Sequence, residues 1–387
     1  MLKKQFVLVP LCLFFLAASL QANIKILHSF TNYPNGEKPQ GSLIAIGSTL
    51  YGMTFGNRVT SDYGTIFKIN KNGTGFATLH SFTGYPDGAN GNGNLKAIGS
   101  TLYGMTLYGG ANNDGTIFKI QTDGTGYSIL YNFPGYPSGG ELPGGSLIAI
   151  GSTLYGMTYG GGTLDDHFGG TVFKINTNGT GFELLHSFSS YTLDEGTFPW
   201  GSLILQGSTL YGMTQQGGVN FYGTIFEIQT DGAGYEQLHL FVDDATDGAN
   251  PLGSLIAKNS TLYGMTSAAG TYNFGTIFKI NKNGSGCKLI HSFAGGASDG
   301  GSPKDSLVAK GSTLYGMTYG GGTYNFGTIF KINTKGTGYK VLHSFAGGAT
   351  DGAHPYGSLI VIGSTLYGMT AAGGTFGCGV IFSSSLN

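Results

Sequence analysis

The feature that most constrains this chain is a five-residue phrase, LYGMT, that occurs seven times. The copies begin at Leu50, Leu102, Leu154, Leu210, Leu262, Leu314 and Leu366. Successive copies are 52 residues apart, except for one interval of 56 residues between the third and the fourth. A period of about 50 residues is in the range of propeller blades and is too long for paired-helix repeats. The repeat therefore predicts a ring of blades.

Each repeat divides into four short apolar runs. In the sixth repeat they are SLVAKG, STLYGMT, GTIFKIN and YKVLHSF. Glycine-containing tight turns join the first run to the second and the third to the fourth, which is typical of β-hairpins. Neighbouring residues such as Ile329 and Phe330 are both apolar, as expected for a sheet covered on both faces. The pattern predicts an all-β, seven-bladed β-propeller of four-stranded antiparallel blades.

The two chain ends predict how the ring closes. The chain finishes on a third-type strand, Gly379 to Phe382, whereas Ile24 to Phe30 reads as a fourth-type strand standing alone. We expect the N-terminal strand to complete the last blade, so that no sheet edge is left open. Because strands alternate in direction, both tight turns fall on one face, the tight-turn face. The longer loops fall on the other, the long-loop face, which is the candidate binding surface.

The first residues read as a targeting segment. Lys3 and Lys4 precede an apolar run from Phe6 to Leu20, which is short for a membrane span. We predict a signal peptide over residues 1–22, cleaved after Ala22, followed by a single propeller domain over residues 23–387. The protein is then exported, to the periplasm or outside the cell. A retained N-terminal anchor is the alternative.

Composition excludes several partners. Charged residues make up 10% of the chain, the net charge is -1, and Arg58 is its single arginine, so no nucleic-acid surface is expected. Cys287 and Cys378 fall on opposite faces of the predicted ring and should not pair. We expect a monomer without a cofactor. Calcium at the recurring Asp-Gly loops is a weaker alternative, because those loops lack several converging oxygen ligands.

The repeat resembles a known family. The run LKAIGSTLYGMTLYGG, then GTIFKI and DGTGYSIL, bracketed by LHSF and DGA, is similar to the GloVer tandem repeat of exported bacterial proteins. The resemblance covers essentially the whole predicted mature chain. It implies a propeller-like exported protein without an established activity, so it supplies no catalytic residues. The chain departs from members that carry a C-terminal anchoring segment, and surface attachment is therefore not expected.

The residues that recur in every blade favour structural roles. The methionine of LYGMT offers soft packing between blades, with copper binding as the alternative. The histidine of LHSF recurs in six copies, and Tyr131 replaces it in another. We expect a hydrogen-bonded structural histidine, with metal ligation as the alternative.

Residues that break the repeat are better functional candidates. The interval of 56 places extra residues in two loops between blades 3 and 4, on the long-loop face. They gather Asp165, Asp166, His167, Asp194, Glu195 and Trp200. These residues are predicted to bind a ligand, and a solvated pair of acidic loops is the alternative. A third possibility is catalysis by Asp166, Glu195 and His167, since paired carboxylates cleave glycosidic bonds.

Aromatic residues on the same face suggest a ligand class. Tyr272 and Tyr324 join the predicted ligand-binding set, as does Arg58 in the longer loop of blade 1. Flat rings beside amides suit sugars, although the same rings could pack between blades instead. The sequence favours an exported, non-catalytic propeller that binds a glycan or another extracellular surface. A scaffold for a cell-surface or extracellular protein is one alternative, and a polysaccharide hydrolase or lyase acting at the blade 3 and 4 loops is the other.

Overall fold

The computed structural model describes residues 24–57, 61–162, 169–189 and 195–386. They form seven four-stranded antiparallel sheets arranged in a ring, which confirms the predicted seven-bladed propeller. The predicted signal peptide lies outside the described residues. Within the described ranges, no helix is long and apolar enough to cross a membrane.

The strands follow the four-run pattern of the repeat. In chain order, those of blades 1 to 3 and the N-terminal strand are β1 (Ile24–Ser29), β2 (Ile44–Ile46), β3 (Thr49–Met53), β4 (Thr65–Asn70), β5 (Ala77–Ser81), β6 (Gly88–Ile98), β7 (Thr101–Gly109), β8 (Thr116–Gln121), β9 (Ser128–Asn132), β10 (Gly139–Ile150), β11 (Thr153–Gly162), β12 (Thr171–Asn176) and β13 (Glu183–Ser187). Those of blades 4 and 5 are β14 (Gly196–Thr197), β15 (Ile204–Gln206), β16 (Thr209–Thr214), β17 (Gln216–Gly217), β18 (Thr224–Gln229), β19 (Glu236–Leu240), β20 (Ile256–Lys258), β21 (Thr261–Thr266), β22 (Thr276–Asn281) and β23 (Lys288–Ser292). Those of blades 6 and 7 are β24 (Gly300–Gly301), β25 (Val308–Lys310), β26 (Thr313–Thr318), β27 (Gly320–Gly321), β28 (Thr328–Asn333), β29 (Lys340–Ser344), β30 (Gly352–Ala353), β31 (Ile360–Ile362), β32 (Thr365–Thr370), β33 (Ala372–Gly373) and β34 (Val380–Ser385).

The ring closes through the N-terminal strand, as predicted. The last sheet has the order β1-β34-β32-β31, and β1 pairs antiparallel with β34 from Ile24 opposite Ser384 to Ser29 opposite Val380. The backbone N–H of Phe30 continues this pairing by donating to the carbonyl of Gly379 at 3.0 Å. The two ends of the chain therefore share one blade, and the outer edge of β34 is covered.

The phrase LYGMT forms the second strand of each blade, and each of its last three residues makes a close contact there. In blade 6, Gly316 faces Phe330 on the next strand, and a Cβ added to Gly316 would lie 2.5 Å from the Phe330 ring. Met317 is 4% exposed within an apolar cluster between blades 6 and 7. Thr318 shares a buried hydrogen bond of 2.8 Å with Thr328, which explains the threonine of GTIF. The methionines therefore pack between blades, as predicted.

Backbone hydrogen bonds fix the two faces. On the tight-turn face, the N–H of Thr122 donates to the carbonyl of Ser100 at 2.8 Å, joining the two hairpin turns of blade 2. On the long-loop face, the N–H of Phe55 donates to the carbonyl of Lys38 at 3.1 Å, joining the two longer loops of blade 1. The predicted assignment of loops to faces is confirmed. Cys287 and Cys378 are both free thiols, as predicted.

Candidate functional site

Of the residues that the insertion between blades 3 and 4 brings together in the sequence, the structure describes Glu195 and Trp200, and it places these two apart. Arg58, Asp165, Asp166, His167 and Asp194 lie outside the described residues. Glu195, Trp200, Tyr272 and Tyr324 are described, and they occupy three different environments.

Glu195 makes a structural contact at the outer edge of blade 3. Its Oε1 lies 2.5 Å from Nε2 of His186, and its Oε2 accepts the N–H of Ser189 at 3.1 Å. The same pairing of histidine and carboxylate recurs in other blades. The equivalent pairs are His80 with Asp87, His239 with Asp247, His291 with Asp299, and His343 with Asp351. Glu195 therefore takes the place of the repeated aspartate, and the predicted structural role of the LHSF histidine is confirmed in these blades.

Trp200 lies close to the ring axis, where the seven blades meet. A closed ring of seven hydrogen bonds encircles that axis, each from a backbone N–H of one blade to a side-chain oxygen of the next. The ring residues are Ser42, Asn94, Ser146, Ser202, Ser254, Ser306 and Ser358, with donor-acceptor distances from 2.6 to 2.8 Å. We call them the serine ring.

The residue before each member of the serine ring has little space. A Cβ added to Gly145 would lie 2.2 Å from the carbonyl oxygen of Gly201 in the next blade. Glycine occupies this position in six of the seven repeats, and Asp305 occupies it in blade 6. The carboxylate of Asp305 consequently borders the axis, where its oxygens accept hydrogen bonds from Oγ of Ser306 at 2.8 Å and of Ser42 at 3.3 Å.

Two residues before each serine-ring member lies a position whose chemistry changes from blade to blade. Its occupants are Gln40, Asn92, Gly144, Trp200, Leu252, Lys304 and Tyr356. All but Gly144 line one narrow cavity of about 30 Å³ around the axis, together with Asp305. We call these lining residues the axial mouth. They belong to the segments that lead from the fourth strand of one blade to the first hairpin of the next, with Asn92 lying within β6, so the mouth opens on the long-loop face.

The two charged groups of the axial mouth lie in an unfavourable environment. Asp305 keeps part of its surface open to the cavity, yet protein atoms surround it, and this burial raises the pKa of its carboxyl group despite the serine hydrogen bonds. Burial also lowers the pKa of Lys304, whose Nζ lies 5.7 Å from the centre of the Tyr319 ring. Neither group forms an ion pair within the described part of the chain.

The rings of the axial mouth are held in place by other rings. The Trp200 ring stands edge-on to Tyr159 at a centroid distance of 5.3 Å, and Tyr159 stacks on Phe198 at 4.6 Å. On the other side of the ring, Tyr356 stands edge-on to Tyr319 at 6.5 Å. These contacts orient each ring before any ligand arrives, which lowers the entropy lost on binding.

A second pair of aromatic residues lies at the tips of the second-to-third loops of blades 5 and 6, on the same face as the mouth. Tyr272 is 57% exposed and Tyr324 is 56% exposed, so these rings do not pack between blades. Each precedes an asparagine with left-handed backbone geometry, Asn273 or Asn325, both with φ of 58°. The Asn325 side chain accepts the N–H of Gly321 at 2.9 Å, and Asn273 accepts that of Ala269 at 3.0 Å. We call Tyr272 and Tyr324 the tyrosine rim.

Apart from Trp200, sequence reasoning missed the axial mouth. The insertion of four residues drew attention to blade 3, whereas the informative signal was a single alignment column. When the repeats are aligned on the serine ring, the column two residues earlier contains an amide, a tryptophan, a leucine, a lysine and a tyrosine. Only closure of the ring shows that these residues meet.

Comparisons with known proteins identify the repeat. A family model described as the Gloeobacter/Verrucomicrobia repeat matches residues 13–168, 152–325 and 283–387. No curated protein sequence matches the chain.

Several solved structures share the architecture. Oligogalacturonate lyase in complex with manganese aligns with a TM-score of 0.59 at 10% identity, covering 96% of this chain and 94% of that one. An oligogalacturonate lyase from Vibrio parahaemolyticus gives 0.56 at 10% identity, covering 96% and 95%. A Mycobacterium tuberculosis puromycin-hydrolyzing peptidase gives 0.53 at 10% identity, covering 88% of this chain and 53% of that one. At such identities the likeness shows the fold alone. The family model, by contrast, matches most of the sequence, and the chain belongs to the Gloeobacter/Verrucomicrobia repeat family.

Proposed function

We propose that this protein is an exported, non-catalytic propeller that binds a glycan on its long-loop face. The observation that carries the proposal is the axial mouth, because its side chains differ in chemistry from blade to blade and converge on one cavity. A structural position would repeat with the blades, as the serine ring does. A site for one ligand does not need the seven-fold symmetry of the blades, because the ligand does not have that symmetry.

The chemistry of the axial mouth favours a sugar. Trp200 and Tyr356 offer ring faces or edges to the C–H groups of a pyranose, while Gln40 and Asn92 offer amide donors and acceptors. Asn92 is only 4% exposed, and its Nδ2 is buried without a hydrogen-bond partner in the described structure. A buried amide donor of this kind gains a hydrogen bond when a hydroxyl oxygen reaches it. The cavity itself has room for little more than a water molecule, so a glycan would rest on the axial mouth and reach into the cavity with a single hydroxyl group.

The tyrosine rim extends the proposed site beyond the axis. Exposed rings on the neighbouring blades 5 and 6 can support further sugar units of the same chain, each through weak stacking. Linked weak contacts raise the overall affinity by roughly 10² to 10⁴ when the geometry allows simultaneous binding. We therefore expect an oligosaccharide to bind more tightly than a monosaccharide.

A glycan array followed by titration calorimetry tests the proposal. The wild-type protein should bind a defined set of glycans, and Trp200→Ala should weaken the binding by at least about tenfold, or about 1.4 kcal/mol. Tyr324→Ala should weaken oligosaccharide binding while changing monosaccharide binding little. Lys335→Ala, an exposed substitution on the tight-turn face, is the matched control and should bind like the wild type. An array without signal would overturn the glycan proposal.

A protein-interaction scaffold is the second candidate, and one observation favours it. Phe221 and Phe376 are each 60% exposed at loop tips on the long-loop face, where phenylalanine offers apolar contact without a polar group for a sugar hydroxyl. If the array is blank, crosslinking of the wild type to exported proteins should be lost when both phenylalanines are changed to serine.

The enzyme alternative rests on residues that the structure only partly describes. Asp166 and His167 lie outside the described residues, and Glu195 is engaged by His186 and Ser189. Release of reducing ends from a polysaccharide, lost on Asp166→Ala or Glu195→Ala, would favour catalysis over simple binding. Export is tested separately, because N-terminal sequencing of the mature protein should begin after Ala22 if the signal peptide is cleaved.

A further inference from the structure

One interface between blades differs from its neighbours at the outer edge. In five other interfaces, an aromatic ring of one blade stacks on the histidine or tyrosine of the preceding blade. The stacked pairs are Phe76 on His28, Tyr127 on His80, Phe182 on Tyr131, Tyr235 on His186 and Tyr339 on His291, with centroid distances from 3.6 to 4.0 Å. At the interface of blades 4 and 5, Cys287 occupies the ring position.

The cysteine brings a third ligand atom to an existing pair. Nε2 of His239 lies 3.2 and 3.0 Å from the two carboxylate oxygens of Asp247, and Sγ of Cys287 lies 3.6 Å from the same nitrogen. One donor atom from each residue lies within 4.8 Å of the other two. Among the described residues, this is the one group of three that combines a thiol, an imidazole and a carboxylate in this way.

We propose that His239, Asp247 and Cys287 form a zinc(II) site between blades 4 and 5. A tetrahedral zinc ion with bonds of about 2.0–2.3 Å holds its donor atoms roughly 3.3–3.6 Å apart. The distances at Nε2 of His239 are already close to that range, and the thiol and the carboxylate, which lie within 4.8 Å of each other, would draw together on binding. The thiolate selects a soft or borderline ion over calcium or magnesium, which prefer oxygen ligands.

The surroundings of the three residues suit a bound ion with an open position. The side chains of His239 and Asp247 are 19% and 11% exposed, so water can reach the cluster and supply a fourth ligand. Leu238, Ala257 and Leu289 belong to the same partly buried apolar layer as Cys287 and limit how far that water extends. An ion here would link two adjacent blades in the way that ring stacking links five of the other pairs.

Zinc titration of the purified full chain, without a polyhistidine tag, tests the site. After chelation and dialysis, the wild type should take up one zinc ion per chain with a Kd in the micromolar range or below, measured by elemental analysis and calorimetry. Cobalt(II) should give a thiolate charge-transfer band in the near ultraviolet. Cys287→Tyr restores the ring found at the other interfaces, so it should fold normally yet lose at least about tenfold in affinity, or about 1.4 kcal/mol.

The neighbouring interface allows the opposite experiment. Tyr339→Cys places a thiol beside His291 and Asp299, which already form the matching pair. This variant should bind two zinc ions per chain, and the Tyr339→Cys/Cys287→Tyr double variant should bind one. Cys378→Ser removes the other free thiol of the described residues and should leave the uptake of one ion unchanged.

Two results would overturn the proposal. One is a wild type that takes up no more zinc than Cys287→Tyr. The other is a cobalt charge-transfer band that survives Cys287→Tyr but disappears in Cys378→Ser, because the thiolate ligand would then be elsewhere. If Cys287→Tyr aggregates, Cys287→Ser gives the same comparison, since its hydroxyl keeps the small volume but is a poor zinc ligand.

Discussion

The serine ring and the axial mouth lie two residues apart on the same seven loops, yet one repeats and the other does not. Each serine-ring member donates its backbone N–H to the next blade within 2.6 to 2.8 Å, so a change in one blade disturbs its neighbour. The residues of the mouth face the cavity instead. Where they contact the preceding blade, as Trp200 does at Tyr159 and Tyr356 does at Tyr319, they do so ring against ring and not through the hydrogen bonds that close the scaffold. The comparison shows that ring closure restricts the scaffold and leaves the mouth free to acquire binding chemistry.

Removing the closing strand should be the most damaging change to the scaffold. Deletion of residues 24–30 exposes the edge of β34 and removes Phe30, whose side chain is fully buried. We expect loss of most of the folding free energy, on the order of 5 kcal/mol or more, and aggregation through the open edge. A protein lacking only residues 1–22 is the control. Equal solubility and equal Tm of the two truncated proteins, measured by light scattering and calorimetry, would contradict closure by β1.

One substitution in the scaffold and one in the mouth should differ in how much free energy of unfolding they remove. Phe330 is 0% exposed, and Phe330→Ala should cost about 3–5 kcal/mol through lost contacts and a cavity. Trp200→Ala should cost less than about 1.5 kcal/mol, because the tryptophan is only partly buried at the cavity wall. Denaturant unfolding measures both. Similar losses for the two variants would mean that the axial mouth is part of the core.

The scaffold has one incomplete histidine pair, which predicts a dependence on pH. His28 has no carboxylate partner at Nε2, because Asn35 stands where blade 1 has Asp87, and burial lowers the pKa of His28 to about 4. Between pH 6.5 and about 4 the unfolded chain binds more protons than the folded one. The free energy of unfolding therefore decreases as the pH is lowered through this window. The full shift corresponds to about 3 kcal/mol at pH 4, and water at the partly exposed imidazole should reduce the loss to about 2 kcal/mol.

Asn35→Asp should remove that loss by supplying the missing carboxylate. The spacing of seven residues matches His80 and Asp87, whose side chains meet at 3.0 Å. The gain over the wild type should grow as the pH falls from 7 to 5, and the pKa of His28, followed by NMR, should rise. Asn35→Ser, which introduces the residue of blade 2, is the neutral control. A gain that is independent of pH would rule out the pairing.

The smallest expected effect on stability is at the mouth. The raised pKa of Asp305 means that, just above the ordinary carboxyl pKa, the folded chain holds more protons than the unfolded one. Stability therefore falls as pH rises through that window and stays lower above it. Asp305→Asn should gain about 1 kcal/mol or less at pH 7, and the gain should vanish near pH 4. Loss of glycan binding in this variant, together with its higher Tm, would sharpen the contrast between the two regions.

Much of the fold could be predicted because the strands and turns of one blade are encoded in every copy of the repeat. Apolar runs, glycine turns and the unpaired strand at each chain end were enough to predict seven blades, their closure and the assignment of loops to faces. The site could not be predicted in the same way. Glu195 and Trp200 are five residues apart in an irregular stretch, yet Glu195 turns to His186 at the outer edge and Trp200 lies at the axis.

The sequence by itself determined the blade, because backbone pairing and burial on both faces impose the same local pattern seven times. Only the tertiary structure decided which unlike residues meet. Lys304 is 264 residues from Gln40 and 104 from Trp200, but all three border one cavity, since the fourth-to-first loops converge where the ring closes. The meeting of Cys287 with His239 likewise depends on how one blade lies against the next, which no pattern within a single repeat records.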